Sequence, residues 1–437
     1  MNSWYWRDWI LFAASMRKVE KLFLIAIVVF FVLPLKAQNG TLTPYSRYGI
    51  GQLAEQSVGI NKAMGGIGIG LRERNTLNIA NPASYSTVDT LTFLFDFGFS
   101  LSNCNFQENG VRLNARNASV DYIAMQFRIV RNLGFTMSLM PVSNTGYSFS
   151  ETSVIRSDED GNLTATNSYG GEGGLRKVAA GLGWAPFKWL SAGVDAGYVF
   201  GDITHIITNR YNESTVFTKN KAYYASMRGL NLDFGLQTGF NAGKGKLTLG
   251  LVYSPMTALN DDTYILDQII NSSSVEEVSD TVRMSNAFAL PEKFGAGLTY
   301  SHEKWLAGAD VSYERWGGSG LFFGESGRDR IKVSLGGMYQ PERNHRNLFR
   351  RSSYRAGLFY SQPYFNVGNM AGPVEYGASA GISLPIINHW NNLIEINISG
   401  QYVHCKPSAA GQITEDYLRL SIGLAFNERW FTKWKVE

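Results

Sequence analysis

The chain has 437 residues and a formal net charge of +4, and it contains 26 Phe, 22 Tyr, 10 Trp and 46 Gly but only 12 Pro. Apart from the run Arg346 to Arg351 the basic residues are scattered, which argues against nucleic acid as a partner because such binding needs a clustered basic face. No break in composition divides the chain, so we expect one large domain behind a leader.

The N-terminus has the order of an export signal. Basic residues between Met16 and Lys21 precede an apolar run from Leu22 to Leu35, and Lys36-Ala37-Gln38 follows. The run falls short of the roughly 20 residues that a spanning helix needs. We therefore predict a signal peptide over residues 1–37, cleaved after Ala37, with Met16 as a better start than Met1.

Residues 38–89 are rich in glycine and polar residues and do not fit a membrane strand. They precede the first alternating segment. We expect them to form an N-terminal plug inside a barrel made by residues 90–437.

From Thr90 onwards, apolar and polar residues alternate with a period of two, which predicts strands with two different faces. Between Leu91 and Leu101, for example, phenylalanines share one face, and Asp96 and Ser100 share the other. The fold class we predict is therefore all-β, an antiparallel transmembrane barrel of about 14 strands, an even number as bacterial barrels require. The expected strands lie near 90–101, 118–130, 132–146, 174–185, 189–205, 225–240, 245–255, 291–302, 304–315, 329–340, 353–362, 374–386, 393–404 and 415–427.

The connections between these strands are alternately short and long. Short periplasmic turns and long outer loops are typical of outer-membrane barrels, because lipid tolerates backbone only where every N–H and C=O is paired. The exception is the arginine-rich connection from Pro341 to Ser352, which is long for a periplasmic turn. The pattern places the protein in the bacterial outer membrane, with membrane lipid as a partner.

The expected plug contains a glycine-rich run and an Asn-Pro-Ala motif. The run Ala63 to Gly70 is followed by Asn78-Ile79-Ala80-Asn81-Pro82-Ala83, and this pair resembles the N-terminal hatch of the FadL/TodX transporters of long-chain fatty acids and hydrocarbons. The segments Leu290-Pro291-Glu292 and Tyr354 to Tyr360 are similar to strands of that family. The residues that carry the hatch motif are Gly65, Gly66, Gly68, Gly70, Asn81, Pro82 and Ala83.

The resemblance implies an outer-membrane channel for hydrophobic or amphipathic small molecules such as long-chain fatty acids, which would bind at the outer loops. Relatives with the same hatch serve the Bacteroidetes-type secretion system, which leaves an alternative: a barrel that binds or anchors secreted proteins. The resemblance implies no cofactor.

Enzymatic function finds little support in the sequence. The run Gly317 to Gly320 stops one residue short of a Gly-x-Ser-x-Gly nucleophile motif. The five histidines show no metal-ligand spacing, and they are His205, His302, His345, His389 and His404. We predict neither a catalytic residue nor a metal site.

Charged residues on the inward faces of the strands should line the lumen, where they would chiefly hold barrel and plug together by ion pairs. Closure would bring Asp96 and Glu395 to either side of Arg419. The predicted lumen charges are Asp96, Arg128, Asp195, Asp310, Lys332, Arg355, Glu395 and Arg419.

Two further features are specific to single strands. The only cysteines, Cys104 and Cys405, are expected in outer loops near each other, where they would form a disulfide or remain as two free thiols. The third strand is interrupted by Pro141, Asn144 and Gly146, and proline cannot donate to a ladder. This interruption predicts a lateral gap in the wall or a break above the bilayer at the outer rim. FadL-type channels are thought to release substrate through a kink in this strand.

Overall fold

The structure is a computed structural model that describes residues 43–90, 92–108, 110–158, 161–213, 216–270, 277–284, 288–319, 327–342, 345–387, 393–409 and 411–429. The predicted signal peptide and the first residues of the predicted plug, 38–42, lie outside these ranges. None of the helices in these ranges is long and apolar enough to cross a membrane.

The chain forms a closed antiparallel β-barrel with fourteen strand positions, as predicted. The barrel closes where the first long strand pairs with the last. Eleven positions hold one continuous strand: β2 (Thr92–Glu108), β3 (Val111–Val130), β6 (Gly161–Trp184), β7 (Leu190–Tyr211), β8 (Thr218–Ala242), β15 (Trp305–Arg315), β16 (Arg330–Tyr339), β17 (Ser353–Ser361), β20 (Val374–Ile387), β21 (Leu393–Lys406) and β22 (Thr414–Arg429).

The other three positions each hold two strands in succession. They are β4 (Leu133–Pro141) with β5 (Ser143–Asp158), β9 (Gly245–Ser254) with β11 (Asn260–Ile270), and β12 (Glu277–Met284) with β14 (Glu292–His302). Short elements complete the described fold: β1 (Gln52–Leu53), β10 (Thr257–Ala258), β13 (Ala289–Leu290), β18 (Asn366–Val367), β19 (Met370–Ala371), α1 (Gly59–Lys62), α2 (Leu348–Arg351) and the 3-10 helices Pro44–Arg47, Pro82–Thr87 and Trp316–Gly318.

The period-two alternation separates an outer apolar face from an inner polar face. On β8, Leu232, Phe234 and Leu236 are exposed, whereas Gly235 and Gln237 on the opposite face are buried. An exposed apolar face on a closed barrel is the face that contacts lipid. The alternation therefore produces a barrel that buries its polar residues, the reverse of a soluble sheet.

One side of the barrel is much taller than the other. β8 has 25 residues and β17 has 9. At about 3.4 Å per residue and a tilt of about 40°, these lengths correspond to heights of about 65 Å and about 23 Å. The apolar band of such barrels is only about 25 Å tall. The side that contains β8 therefore projects far beyond the membrane.

These tall strands correct our prediction of long outer loops at 147–173 and 206–224. β5 and β6 form a hairpin that turns near 158–161, and β7 and β8 continue to Tyr211 and from Thr218. The outer face of this projecting sheet lies above the lipid, while parts of its inner face, such as Ile203 and Ala225, are buried. The regular alternation that lipid imposes on the membrane strands is therefore missing there.

Residues 43–90, here called the N-terminal segment, run from the outer end of the barrel to its periplasmic end. The hydroxyl of Thr43 donates to Glu415, near the outer end of β22, over 2.5 Å. The 3-10 helix Pro82–Thr87 contacts β6 and β7 lower down, and β2 begins at Thr92. The segment thus passes along the interior before the wall begins.

Candidate functional site

The glycine-rich run of the N-terminal segment is bound to the barrel wall through its backbone. The carboxylate of Asp310 on β15 accepts hydrogen bonds from the amides of Gly68 at 2.6 Å and Ile69 at 2.8 Å. Gly65, which has a φ of 68°, donates from its amide to the hydroxyl of Ser379 over 2.9 Å. Glycine takes up such positive φ values without a Cβ clash.

Asn81 of the Asn-Pro-Ala motif joins three parts of the structure. Its side-chain oxygen accepts from the amide of Ala83 at 3.0 Å and so caps the 3-10 helix that Pro82 begins. Its side-chain nitrogen lies 2.9 Å from the carbonyl oxygen of Ile69 and 3.3 Å from those of Leu236 and Leu251 in the wall. Asn81 is fully buried, so each of these bonds is made away from water.

Glycines in the wall allow the N-terminal segment to touch the strands. A Cβ on Gly250 of β9 would lie 2.0 Å from the carbonyl oxygen of Ile69, and a Cβ on Gly357 of β17 would lie 2.2 Å from the amide nitrogen of Gly65. A glycine inside a strand often marks such a close backbone approach. Our reading of the sequence missed these contacts, although isolated glycines in strand patterns were a signal that could have found them.

Uncharged wall side chains satisfy further backbone groups of the segment. The amide of Gln237 donates to the carbonyl oxygens of Ile69 at 2.9 Å and Leu71 at 3.1 Å. The hydroxyl of Thr299 donates to the carbonyl oxygen of Gly70 over 2.7 Å. Both side chains are uncharged, and the predicted lumen residues were all charged, so neither was foreseen.

Two predicted lumen carboxylates accept hydrogen bonds from buried tyrosines. Tyr85 of the N-terminal segment donates to Asp195 over 3.0 Å, and burial, followed by the nearby Asp195 charge, raises the pKa of Tyr85 well above its ordinary value. Tyr122 on β3 donates to Asp96 over 3.0 Å and accepts from the amide of Gly59 over 2.6 Å. Tyr122 thus connects the wall to the segment.

The arrangement predicted around Arg419 is wrong. Asp96 and Glu395 do lie on either side of β22, but both are opposite Ala425. Arg419 lies six positions away, about 20 Å at the strand rise, and donates to Gln401 over 3.0 Å. The inference failed because it assumed neighbouring strands without fixing their register.

The remaining predicted lumen charges have separate surroundings. Arg128 donates to the hydroxyl of Thr90 over 2.9 Å near the periplasmic end. Lys332 lies 5.6 Å from the centroid of the Phe359 ring. Arg355 is buried and donates to Ser383. These residues line different parts of the wall and do not form one cluster.

Internal ion pairs do occur, between residues that the sequence analysis did not select. Lys62 of α1 lies 2.6 Å from Asp121 of β3. On the wall, Lys177 lies 3.1 Å from Asp233 and Arg330 lies 3.3 Å from Glu314. The first pair attaches the N-terminal segment to β3.

A cavity of about 250 Å³ lies between the N-terminal segment and the wall. Its lining includes Gln52 to Ser57 of the segment, inward residues of β2 and β3, and Met140, Pro141 and Asn144 of the third strand position. The charged residues that line the cavity are Glu55, Lys62, Asp121, Lys177, Asp195, Asp233, Lys293, Asp310, Glu314, Arg330, Lys332, Glu375 and Arg419. The lumen is therefore markedly polar.

The wall is interrupted beside this cavity, at the third strand position. The ladder between β3 and β4 reaches up to Ile123 opposite Leu139 and does not continue onto β5. On β5, Ser143 and Asn144 pair instead with Leu53 and Gln52 of β1. The N-terminal segment thus supplies the strand partner that β3 no longer provides.

The two cysteines are buried free thiols, and they lie in strands, not in the outer loops we expected. Cys104 is opposite Tyr417 on one side of β22, and Cys405 is opposite Glu415 on the other side. Two strand spacings separate them by about 10 Å, which exceeds the roughly 7 Å Cα separation that a disulfide tolerates. The disulfide alternative is therefore wrong for this structure.

An apolar cluster lies against the part of the N-terminal segment nearest the outer end. The hydroxyl of Tyr364 donates to the carbonyl oxygen of Gly51, and its ring packs at a tilt of 44° against that of Trp316, with centroids 4.6 Å apart. The buried members are Tyr45, Ile50, Leu175, Val199, Ile203, Ala225, Met227, Leu259, Phe288, Leu290, Trp316, Tyr364 and Phe365. Side chains fill this region, where we expected a ligand to bind.

Solved structures with a similar fold include hydrocarbon channels and transporters. The CymD monoaromatic hydrocarbon channel is 12% identical with a TM-score of 0.58, over 85% of this chain and 98% of that one. The P. putida toluene transporter TodX is 14% identical with a TM-score of 0.58, over 87% and 100%. A Pseudomonas aeruginosa FadL homologue is 11% identical with a TM-score of 0.58, over 87% and 100%. At these identities the likeness concerns the fold.

The fold and its outward apolar face place the protein in the bacterial outer membrane. A comparison with curated proteins finds no match. The sequence model of the BamG family, in contrast, matches residues 19–437. This match spans nearly the whole chain, and the chain belongs to the BamG family.

Proposed function

We propose that the protein is an outer-membrane channel for amphipathic or hydrophobic small molecules, long-chain fatty acids among them. The observation that carries this proposal is the cavity beside the break between β3 and the third strand position. A cavity that adjoins an interrupted ladder offers a sideways route through the wall, because unpaired backbone is tolerated only where it faces a cavity or water. The hydrocarbon and toluene channels of the same fold support this choice.

The height of the break suits an amphipathic molecule. β4, the strand directly below the break, has 9 residues, which corresponds to a height of about 23 Å. The break therefore lies close to the outer boundary of the roughly 25 Å apolar band. A molecule that crosses the wall there has its charged head at the membrane surface and its chain in lipid. The charged lining of the cavity suits such a head group better than it suits a pure hydrocarbon.

In this proposal the N-terminal segment acts as the hatch. β1 holds the edge of β5 through Gln52 and Leu53, and the amide of Ala54 donates to the carbonyl oxygen of Val142 over 2.9 Å. These bonds close the lower part of the lateral gap at Pro141, Asn144 and Gly146. Transport requires β1 to leave this edge.

The experiment locks β1 in place with a disulfide. Leu53 and Ser143 are strand partners, so Leu53→Cys with Ser143→Cys, in a background with both native cysteines changed to serine, can form a bridge. We expect the oxidised variant to take up a fluorescent long-chain fatty acid at least tenfold more slowly in cells, and reductant to restore the rate.

The matched control places the bridge elsewhere in the same barrel. Thr152 and Thr166 are partners on β5 and β6, with their hydroxyl oxygens 3.1 Å apart, and bridging them leaves β1 untouched. Uptake should remain normal in the Thr152→Cys/Thr166→Cys variant. Normal uptake in the oxidised Leu53→Cys/Ser143→Cys variant would remove the hatch mechanism.

A second candidate function is a barrel that binds or anchors exported proteins. Two observations favour it: the lumen cavity is lined by many charged residues, and the apolar cluster near the outer end is filled by side chains. The two candidates make different predictions for cells without the gene. Slow fatty-acid uptake with normal surface proteins supports the channel, whereas normal uptake with lost surface proteins supports the protein-binding barrel.

A further inference from the structure

The upper part of β3 has a partner on only one edge. β3 pairs with β2 from Val111 to Phe127, but with β4 only from Ile123 downwards. Within the described residues, no strand pairs with the other edge of β3 between Arg112 and Tyr122. This length of edge is rare in a barrel, because closure normally pairs every strand on both sides.

The part of this edge from Arg112 to Val120 lies outside the hydrocarbon layer, because Val120 is ten residues above Val130, or about 26 Å along the membrane normal. Arg116 is fourteen residues above Val130 at the periplasmic end of β3, which corresponds to about 36 Å along the membrane normal. The apolar band is about 25 Å tall. The backbone groups of this part of the edge are therefore open to water at the outer surface, where water can satisfy their hydrogen bonds.

The facing side of the gap already accepts a strand. β1 pairs with Ser143 and Asn144 of β5 in antiparallel register, and the amide of Thr43 donates to the carbonyl oxygen of Gly146 over 3.0 Å. An extended segment that is not part of the wall therefore binds one side of the gap through its backbone. The opposite side, formed by β3, offers the same backbone groups without an occupant in the described structure.

The outward face of this edge is basic. Arg112, Asn114, Arg116, Ala118 and Val120 share this face, and all five are exposed. Neither arginine forms an ion pair with another residue in the described part of the chain. Cross-strand neighbours lie about 5 Å apart, and opposite charges there stabilise a pair of strands. A strand added here is favoured if it carries carboxylates at alternate positions.

We propose that the free edge of β3, from Arg112 to Val120, binds an extended acidic segment of another polypeptide by strand addition. Backbone hydrogen bonds supply the affinity, and the carboxylates opposite Arg112 and Arg116 select the partner. This inference rests on the second candidate function and names its binding surface. The tall strands on the other side of the gap would then form the second side of this binding site.

The test uses purified full-length barrel in detergent and a fluorescent ten-residue peptide of alternating threonine and glutamate. We expect saturable binding by fluorescence anisotropy, weakened at least tenfold by Arg116→Glu. Arg228→Glu is the matched control, because Arg228 is exposed at the same height on β8, where Phe200 and Asn260 occupy both edges. Binding to Arg228→Glu should equal that of the wild type.

A second peptide separates strand addition from simple charge attraction. Methylation of alternate backbone nitrogens keeps the carboxylates but removes the donors that a ladder needs, so we expect this peptide not to bind. Equal binding of the methylated peptide overturns the proposal, because it would show attraction by charge alone, of the kind that acidic lipid headgroups also offer. Absence of binding by the unmodified peptide to a folded barrel overturns it as well.

Failure of strand addition at β3 can be distinguished from failure of the second candidate function. If the purified barrel binds the peptide but cells without the gene keep their surface proteins, the second candidate function alone is contradicted. Lost surface proteins together with no peptide binding contradict strand addition alone. Heat-modifiable migration in gels shows that each variant retains its barrel.

Discussion

The carboxylate of Asp310 binds the backbone of Gly68, accepting from its amide at 2.6 Å, and it binds the next amide, that of Ile69, at 2.8 Å. One wall residue thus holds the centre of the glycine-rich run. We expect Asp310→Ala to leave two buried donors without a partner, at a cost of about 1–3 kcal/mol each. Trypsin should then cleave after Lys62 or Arg72 faster than in the wild type.

The control for this variant is Asp262→Ala on β11, where the aspartate is exposed. Its digestion should match that of the wild type. Protection of the Asp310→Ala segment at the wild-type rate would show that other contacts suffice to hold it.

Asn81 can be tested by a change that keeps its shape. In Asn81→Asp the side-chain nitrogen that donates to the carbonyl oxygens of Ile69, Leu236 and Leu251 is replaced by an acceptor. A fully buried carboxylate facing three carbonyls should lower the free energy of unfolding by about 3 kcal/mol. Thermal melting in detergent measures this loss, and Asn241→Asp, at an exposed position, should leave the melting temperature unchanged.

The close approach at Gly250 predicts a strong effect of a single methyl group. Gly250→Ala would place a Cβ 2.0 Å from the carbonyl oxygen of Ile69, so the N-terminal segment must move, at a cost of about 1–3 kcal/mol. Gly400→Ala on β21 is the matched control, since no atom lies within 4 Å of its added Cβ. If both variants melt at the same temperature, contact with the segment does not limit stability.

The cysteines give a chemical test of the strand register. Both thiols are buried and free, on either side of β22. We expect maleimide to label neither in the folded barrel and both after unfolding, with or without reductant. A cysteine at the exposed position of Thr152 should react in the folded protein and shows that the reagent is active. Labelling that requires reductant would indicate a bridge.

The barrel strands could be predicted because lipid imposes a strict alternation on them. Residues such as Phe97 and Asp96 therefore reveal their faces from the sequence alone. The upper parts of β2 and of β5 to β8 lie above the lipid, and without a continuous apolar outer face they resemble polar loops. Cys104 lies on the upper part of β2, which is why it was placed in a loop.

The contacts inside the barrel were harder to predict, because they depend on register and on backbone groups. Asp310 was selected for its charge, yet it binds two amides. Gln237 and Tyr122 are equally involved but carry no charge that would distinguish them. The position of Arg419 depends on how β21, β22 and β2 slide relative to one another, and a period-two pattern does not fix that offset.

The order of the chain has a consequence for how the barrel assembles. The N-terminal segment is made first, and the seam between β2 and β22 joins the first long strand to the last, so closure has to await the whole chain. Long-range pairing of this kind is the slowest step in forming a sheet. At Gly250 and Gly357 the wall lies so close to the segment that no space for a Cβ remains between them. Closing the seam therefore encloses the segment, and the finished barrel has to fit around its backbone.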